Sequence, residues 1–512
     1  METAGNVRLR YAPSPTGPQH IGGIRTALFN YLFVQKHGGT FIFRSEDTDQ
    51  ARFVPGAEEY IIDSLKWAGI TIDEGISVGG PYGPYRQSER KAIYRQFADQ
   101  LIESGHAYYA FDTPEELEEM RTRMTEQGNP SPAYDQITRQ YMKNSLALSQ
   151  DEVDKRLQAG DPYVIRLKMP RNEEVKFNDL IRGMVVFNTS QLDDKVLFKS
   201  DGMPTYHLAN VVDDHLMKIT HVVRGEEWLP SAPTHVMLYR FFGWEDTMPA
   251  FAHLPLVLKP EGNGKLSKRD GDRLGFPIYT LDWENPLTGE KISGLSDRGF
   301  LPEAYMNFLA LLGWHPGGDR EVMSPEELIA AFSFERVGKS GARFDPEKAK
   351  WINQQHIKKK TGAELATLLQ PTLEKHRVEA SPAYIAAVCE LMKERAVFIP
   401  DLYEMGIFFF QDELNYDEST IRKKWKKENA EIFENIAESL NLLSNFTEAE
   451  LEQSVQTLIT EKGLKTGEVM PILRVALAGG LQGPPVYSMM QLLGKEKSIE
   501  RLKKGFQMFN TL

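Results

Sequence analysis

The spacing of apolar residues changes character along the chain. Near the start, Val7-Arg8-Leu9-Arg10-Tyr11 predicts a strand. Ile21, Ile24, Leu28, Tyr31 and Leu32 then recur at helical spacing until His37-Gly38-Gly39 stops the pattern. Thr40-Phe41-Ile42-Phe43-Arg44 predicts a second strand, and residues 57–67 a second helix. Strand, crossover helix, strand is the unit from which parallel sheets are built. Charged helical stretches and strand-like pieces such as Tyr163-Val164-Ile165-Arg166-Leu167 interrupt this rhythm over about 110–205. Strand character returns at His221-Val222-Val223-Arg224. From about Asp345 the pattern is helical, with apolar stripes over 384–399, 432–443 and 451–459. The expectation is an α/β part over 1–345, with an insertion at about 110–205, and an all-helical part over 346–512.

Composition narrows the setting. The 512 residues are 41% hydrophobic and 26% charged, which excludes a mostly disordered chain. No apolar run approaches the ~18 residues that would span a bilayer, so no membrane is expected. Residues 1–5 lack the basic and apolar regions of a signal peptide. A single cysteine, Cys389, excludes an internal disulfide framework and a Cys-rich zinc site. A cytoplasmic protein is expected. The 60 basic against 72 acidic residues give a net charge of −12, so a nucleic-acid partner would need local basic patches. Three exist in the helical part: Lys358-Lys359-Lys360, Arg422-Lys423-Lys424-Trp425-Lys426-Lys427, and Arg501 with Lys503 and Lys504. They either neutralise phosphates, with Trp425 stacked on a base, or form solvated helix faces.

Two loops carry chemistry. Ala12-Pro13-Ser14-Pro15-Thr16-Gly17-Pro18-Gln19-His20-Ile21-Gly22-Gly23 lies between the first strand and the first helix. Its glycines allow close approach to the backbone, and a helix start offers N–H groups to phosphate. His20 stands where it can donate to a triphosphate, or simply cap the helix. The second loop, Lys265-Leu266-Ser267-Lys268-Arg269 after Glu261-Gly262-Asn263-Gly264, places two lysines three apart beside a glycine-rich stretch. Such cations suit a loop that closes on developing negative charge; alone, the run reads equally as a basic turn.

Together the loops resemble the paired "HIGH" and "KMSKS" elements of class I aminoacyl-tRNA synthetases. Four further segments narrow the resemblance to the glutamyl-tRNA synthetase family. They are Arg10-Tyr11-Ala12-Pro13-Ser14-Pro15-Thr16-Gly17, Arg44-Ser45-Glu46-Asp47-Thr48-Asp49, Ser200-Asp201-Gly202-Met203-Pro204-Thr205-Tyr206 with Val211-Val212-Asp213-Asp214-His215, and Arg224-Gly225-Glu226-Glu227-Trp228. The resemblance implies a Rossmann-like parallel sheet with an inserted acceptor-binding subdomain, a stem-contact part at about 261–345, and a helical anticodon-binding region. It implies that Arg10 reads the side-chain carboxylate of glutamate, that Ser14 and Glu46 hold the amino-acid backbone, and that Tyr206, Asn210 and Arg224 complete the pocket. His20, Gly22, Glu227 and Lys268 would meet ATP, with His20, Lys265 and Lys268 in catalysis. It implies glutamyl-adenylate formation with Mg²⁺, productive only once tRNA(Glu) is bound, by a monomer. Arg395 would read the third anticodon base, unless it merely pairs with Glu390 or Glu394.

Two departures stand out. The stretch between Arg269 and Gly299 is longer than the family pattern, and 106–135 lacks the cysteines with which some relatives hold zinc, so no zinc is expected. A glutaminyl-tRNA synthetase, a small nucleotidylyltransferase and a non-catalytic RNA-binding relic are the competing readings. The helical C-terminal part speaks against the first two, and the retained His20, Lys268, Arg10 and Glu46 against the third.

Overall fold

The computed structural model describes residues 7–262, 264–267 and 270–512. It divides the chain into two compact units. One runs to Leu295 and includes Tyr305–Pro346; the other comprises Ser296–Ala304 and Glu347–Leu512.

The first unit is built on seven strands: β1 (Arg8–Tyr11), β2 (Thr40–Phe43), β3 (Glu74–Gly75), β4 (Glu174–Asp179), β5 (Gly183–Asn188), β6 (His221–Gly225) and β7 (Ala250–Leu254). Their order across the sheet is β3-β2-β1-β6-β7-β4-β5, parallel throughout except for the β4–β5 hairpin at one edge. Leu9, Phe41, Val222, Val223 and Ala252 are buried, as expected where helices cover both faces of a parallel sheet. Helix α1 (Ile21–His37) follows β1 and α2 (Ala57–Trp67) follows β2, matching the spans the periodicity predicts. Gly38 ends α1 in the left-handed conformation, at φ 63°, and returns its N–H to the last turn. Gly39 is needed for a different reason: a Cβ there would lie 2.1 Å from the Val7 carbonyl oxygen, so only glycine lets the chain turn against β1.

The segment at 110–205 is not a single body set apart from the sheet. Ala107–Ala110, Val164–Leu167 and Val196–Phe198 form a separate three-stranded antiparallel sheet. Its β4–β5 hairpin instead joins the central sheet, with Asp179 opposite Phe251.

The second unit is helical. Ala430–Leu442 and Glu448–Glu461 fall where the apolar stripes predict them. The stripe over 384–399 overshoots: the helix is Pro382–Met392. Asp401 accepts the Val397 and Phe398 N–H groups at 2.8 and 2.9 Å, which holds that stretch in a turn.

Candidate active site

Strand order reverses at β1, with β2 and β3 on one side and β6 and β7 on the other. Open α/β sheets bind ligands at that switch point, outside the carboxyl ends of the strands. A cavity of about 550 Å³ opens there. Arg10, Ser14, His20, Gly22, Glu46, Tyr206, Asn210, Arg224, Glu227 and Lys265 all line it. Lys268 lies outside the described residues.

The cavity floor is a buried ion network. Arg10 donates Nε and Nη2 to the two carboxylate oxygens of Asp214, at 2.9 and 3.1 Å. Arg44, fully buried, donates to Asp214 at 2.8 Å and to Glu46 at 2.9 Å, and Arg90 donates to Asp213 at 2.7 Å. Three guanidinium groups thus balance three carboxylates. Burial alone would raise the Asp214 carboxyl, but Arg10 and Arg44 outweigh it and hold the group below its ordinary value. Arg10 does not pair with Asp47 or Asp49; Asp49 is held by Arg52. Arg10 thus carries Asp214 on one edge of its guanidinium, Nε and Nη2, and keeps Nη1 and the second Nη2 N–H for a ligand. Asn210 donates to the same Glu46 oxygen as Arg44, at 2.9 Å, leaving the other oxygen of Glu46 available.

Arg224, at the end of β6, is held differently. Nε donates to His253 Nε2 at 3.1 Å, and Nη1 donates to the Tyr206 hydroxyl at 2.6 Å and faces His235 Nδ1 at 3.4 Å. All three partners are uncharged. Burial, with Arg224 adding to it, holds His235 well below the ordinary histidine value. Among the described residues Nη2 is buried without a partner, a state that costs ~1–3 kcal/mol until something accepts from it.

The rim carries the two loops. His20 caps α1: its Nδ1 accepts the Gly22 N–H at 2.9 Å. In the neutral ring Nε2 then carries the proton, so capping and donating to a ligand are compatible roles. Gly22 makes room for this cap, since a Cβ there would come within 2.6 Å of the His20 ring. The long stretch after Arg269 braces the same helix start: Ile278 O accepts the Ile21 N–H at 2.8 Å, and Tyr279 bridges to His20. Across the cavity Lys265 pairs with Glu227, which lowers the Glu227 carboxyl although burial would raise it. Buried Leu266 and the Ser267–Asp270 hydrogen bonds at 2.6 and 2.8 Å anchor the lysine loop.

Known proteins match this arrangement along the whole chain. The family model "tRNA synthetases class I (E and Q), catalytic domain" matches residues 6–351, and an anticodon-binding-domain model matches 364–506. The chain belongs to this family of class I tRNA synthetases. A glutamate–tRNA ligase of Amoebophilus asiaticus is 54% identical over 501 residues, covering 98% of each chain. One of Parabacteroides distasonis is 54% identical over 506 residues, covering 99% of each. The crystal structure of a glutamate–tRNA ligase from Elizabethkingia meningosepticum, in complex with its amino acid, superposes with a TM-score of 0.93 at 47% identity. It covers 98% of this chain and 100% of its own.

In the helical unit of this class I synthetase, Arg395 sits in a turn just past the helix Pro382–Met392, not on the helix as expected. The glutamates that were its alternative partners are engaged elsewhere, Glu390 by Lys393 and Glu394 by Lys358. Trp425 is buried among Phe433, Phe506 and Phe509, with its ring N–H on Asn510, so it is core and not a platform for a base. Arg501 is also buried and donates to the Leu477, Phe408 and Gln411 carbonyl oxygens. Lys423, Lys424, Lys427, Lys503 and Lys504 remain exposed.

Asp214, Arg44, His253, His235 and Asp179 are functional residues beyond those the sequence motifs point to. Asp213-Asp214 and Arg44 stand inside the motifs, which was the available signal; nothing local marks His253 or Asp179.

Proposed function

We propose that the chain attaches L-glutamate to tRNA(Glu) at the expense of ATP, through a glutamyl-adenylate, releasing AMP and pyrophosphate. The observation that carries this is the Arg224 side chain on the cavity wall, held by uncharged partners with one donor unsatisfied. An arginine whose charge no carboxylate cancels selects an anionic substrate side chain over an amide.

In this reading Arg224, the Tyr206 hydroxyl and Nη1 of Arg10 receive the glutamate side-chain carboxylate. Glu46, oriented by Asn210 and Arg44, faces the α-ammonium, and Ser14 supports the amino-acid backbone. His20, Gly22, Glu227, Lys265 and Lys268 take the ATP phosphates and ribose side. The substrate α-carboxylate attacks the α-phosphorus of ATP and pyrophosphate leaves; a ribose hydroxyl of the terminal adenosine then attacks the activated carbonyl. No protein nucleophile is needed, and positioning with charge stabilisation supplies the acceleration. Glu46, Asp49 and Glu227 line the cavity as separate carboxylates rather than a closed cage, which suits Mg²⁺ arriving with the phosphates. When bound, it would neutralise charge on them. No zinc is part of the proposal.

Residues 1–345 act as the catalytic part, with 110–205 toward the acceptor end and 261–345 toward the stem, and 346–512 read the anticodon. The two compact units and the spans of the two family models support this division. We take the enzyme to be a cytoplasmic monomer; no helix among the described residues is long and apolar enough to cross a membrane, and light scattering checks the monomer. ATP–pyrophosphate exchange, run with glutamate and with and without tRNA(Glu), tests the whole reading. Exchange that needs both is expected; exchange with glutamine in place of glutamate would refute it.

A further inference from the structure

Arg224 and Arg10 are both arginines on one cavity, yet the fold treats them oppositely. Arg10 is neutralised by Asp214, whereas no carboxylate pairs with Arg224 among the described residues. The difference originates one residue behind Arg224. Asp179, at the end of β4, accepts the Ile181 and Arg182 N–H groups through Oδ1 at 3.0 and 2.8 Å. Its Oδ2 meets Nδ1 of His253 at 2.6 Å. Asp179 and His253 are 1% and 0% exposed, so neither bond is shared with water.

The protons follow from the chemistry of the partners. A carboxylate only accepts, so His253 Nδ1 must carry its proton, and in the neutral ring Nε2 then presents a lone pair. That lone pair accepts the Arg224 Nε–H at 3.1 Å. The opposite tautomer, or a protonated ring, would set N–H against N–H. Burial holds His253 below the ordinary histidine value in spite of Asp179, with Arg224 adding to the lowering, which keeps the ring neutral. On the other side of the guanidinium, His235 Nδ1 faces Nη1 at 3.4 Å, and its Nε2 lies 3.2 Å from His207 Nδ1, so that ring too can accept while remaining neutral.

We propose that Asp179 and His253 are positioning residues for glutamate selection: Asp179 fixes the His253 tautomer, and His253 orients Arg224 through an uncharged acceptor that leaves its full charge for the substrate carboxylate. The inference deepens the proposed function and rests on Arg224 reading that carboxylate. It also gives the β4–β5 hairpin, contributed by the 110–205 segment, a part in the amino-acid pocket through His253.

Asp179→Asn is the decisive change. The Asn oxygen can keep the Ile181 and Arg182 bonds, but its NH₂ donates to His253 Nδ1, reversing the tautomer and setting Nε2–H against Arg224, the same logic by which an Asp-to-Asn change disables a serine protease triad. Glutamate KM should rise ~10-fold or more with ATP KM unchanged, since a lost bond to a charged group has that size. Nitrogen NMR of labelled histidine should show His253 as the Nδ1–H tautomer in the wild type and Nε2–H in the variant. His253→Phe and His253→Gln keep the test open if Asp179→Asn folds poorly. Phe removes the acceptor and should raise glutamate KM similarly, while Gln restores an acceptor and should recover most of it. A wild-type Nε2–H ring, or equal behaviour of Phe and Gln, would overturn the proposal. Arg224→Ala separates the two levels: unchanged glutamate kinetics there would sink the role of Arg224 itself, whereas a loss there with a silent His253→Phe would sink only the positioning.

Discussion

Positive charge is handled in two ways in the two units. Around the catalytic cavity, Arg10, Arg44 and Arg90 are buried and each meets a carboxylate within 2.9 Å, so the charge is fixed in place and shielded from salt. In the helical unit the basic runs split: Arg501 and Trp425 turn inward as structure, while lysines such as Lys423, Lys424 and Lys427 face solvent. A small rigid anion such as an amino-acid carboxylate needs buried donors that cannot move, which the paired floor and the uncharged partners of Arg224 provide. A long polyanion needs only the second, since many weak, screened contacts add up. Basic residues in a sequence are therefore not one signal, and burial decides which kind of partner each can serve.

The largest effect should come from the fixed charges. Arg10→Ala removes the donor proposed for the substrate and also leaves Asp214 with one guanidinium fewer, so glutamate kcat/KM should fall by ~10⁴-fold, with discrimination against glutamine falling too. Steady-state kinetics with both amino acids measure it, and unchanged glutamate kinetics would remove Arg10 from the pocket. Next is the inward-turned member of the basic run. Trp425→Ala should destabilise the helical unit by ~3–5 kcal/mol in urea unfolding, the usual loss for a buried Trp. A nearly neutral Trp425→Ala that instead weakened tRNA binding would restore the base-stacking role. Lys268→Ala should come third and slow adenylate formation by ~10²–10³-fold in single-turnover assays while leaving tRNA affinity nearly intact, because one cation that meets developing charge matters more than one phosphate contact among many. The smallest effect belongs to Arg395. Reading one base is worth ~1–3 kcal/mol, so Arg395→Gln should narrow the preference for tRNA(Glu) over tRNA(Gln) by that amount in charging assays. A wild type that charges both tRNAs equally would contradict the assignment.

What could be read from the sequence was local. The strands, α1, α2 and the two loops depend on neighbouring residues, and their positions follow from periodicity and glycine placement. The cavity residues were legible because they sit in contiguous motifs. The pairing of Arg10 with Asp214 joins positions 204 apart, and that of Asp179 with His253 joins positions 74 apart; no local pattern encodes either. That Arg10 also carries Asp214 was accordingly not foreseen. Trp425 was a missed local signal, since Ile421 and Trp425 stand four apart as an apolar helical pair, and both are buried. The end of the helix Pro382–Met392 was not visible, because the Asp401 carboxylate that captures the following turn lies beyond the apolar stripe.

Arg224, which no carboxylate pairs with among the described residues, is the proposed selector of glutamate over glutamine. Initial rates of tRNA(Glu) charging by the purified protein, with labelled glutamate and labelled glutamine at equal concentration, test it most directly. Rapid glutamylation is expected, with glutamine incorporation lower by ~10⁴-fold, the discrimination reached when a site pairs a buried polar group of its substrate. Comparable rates for the two amino acids would contradict it.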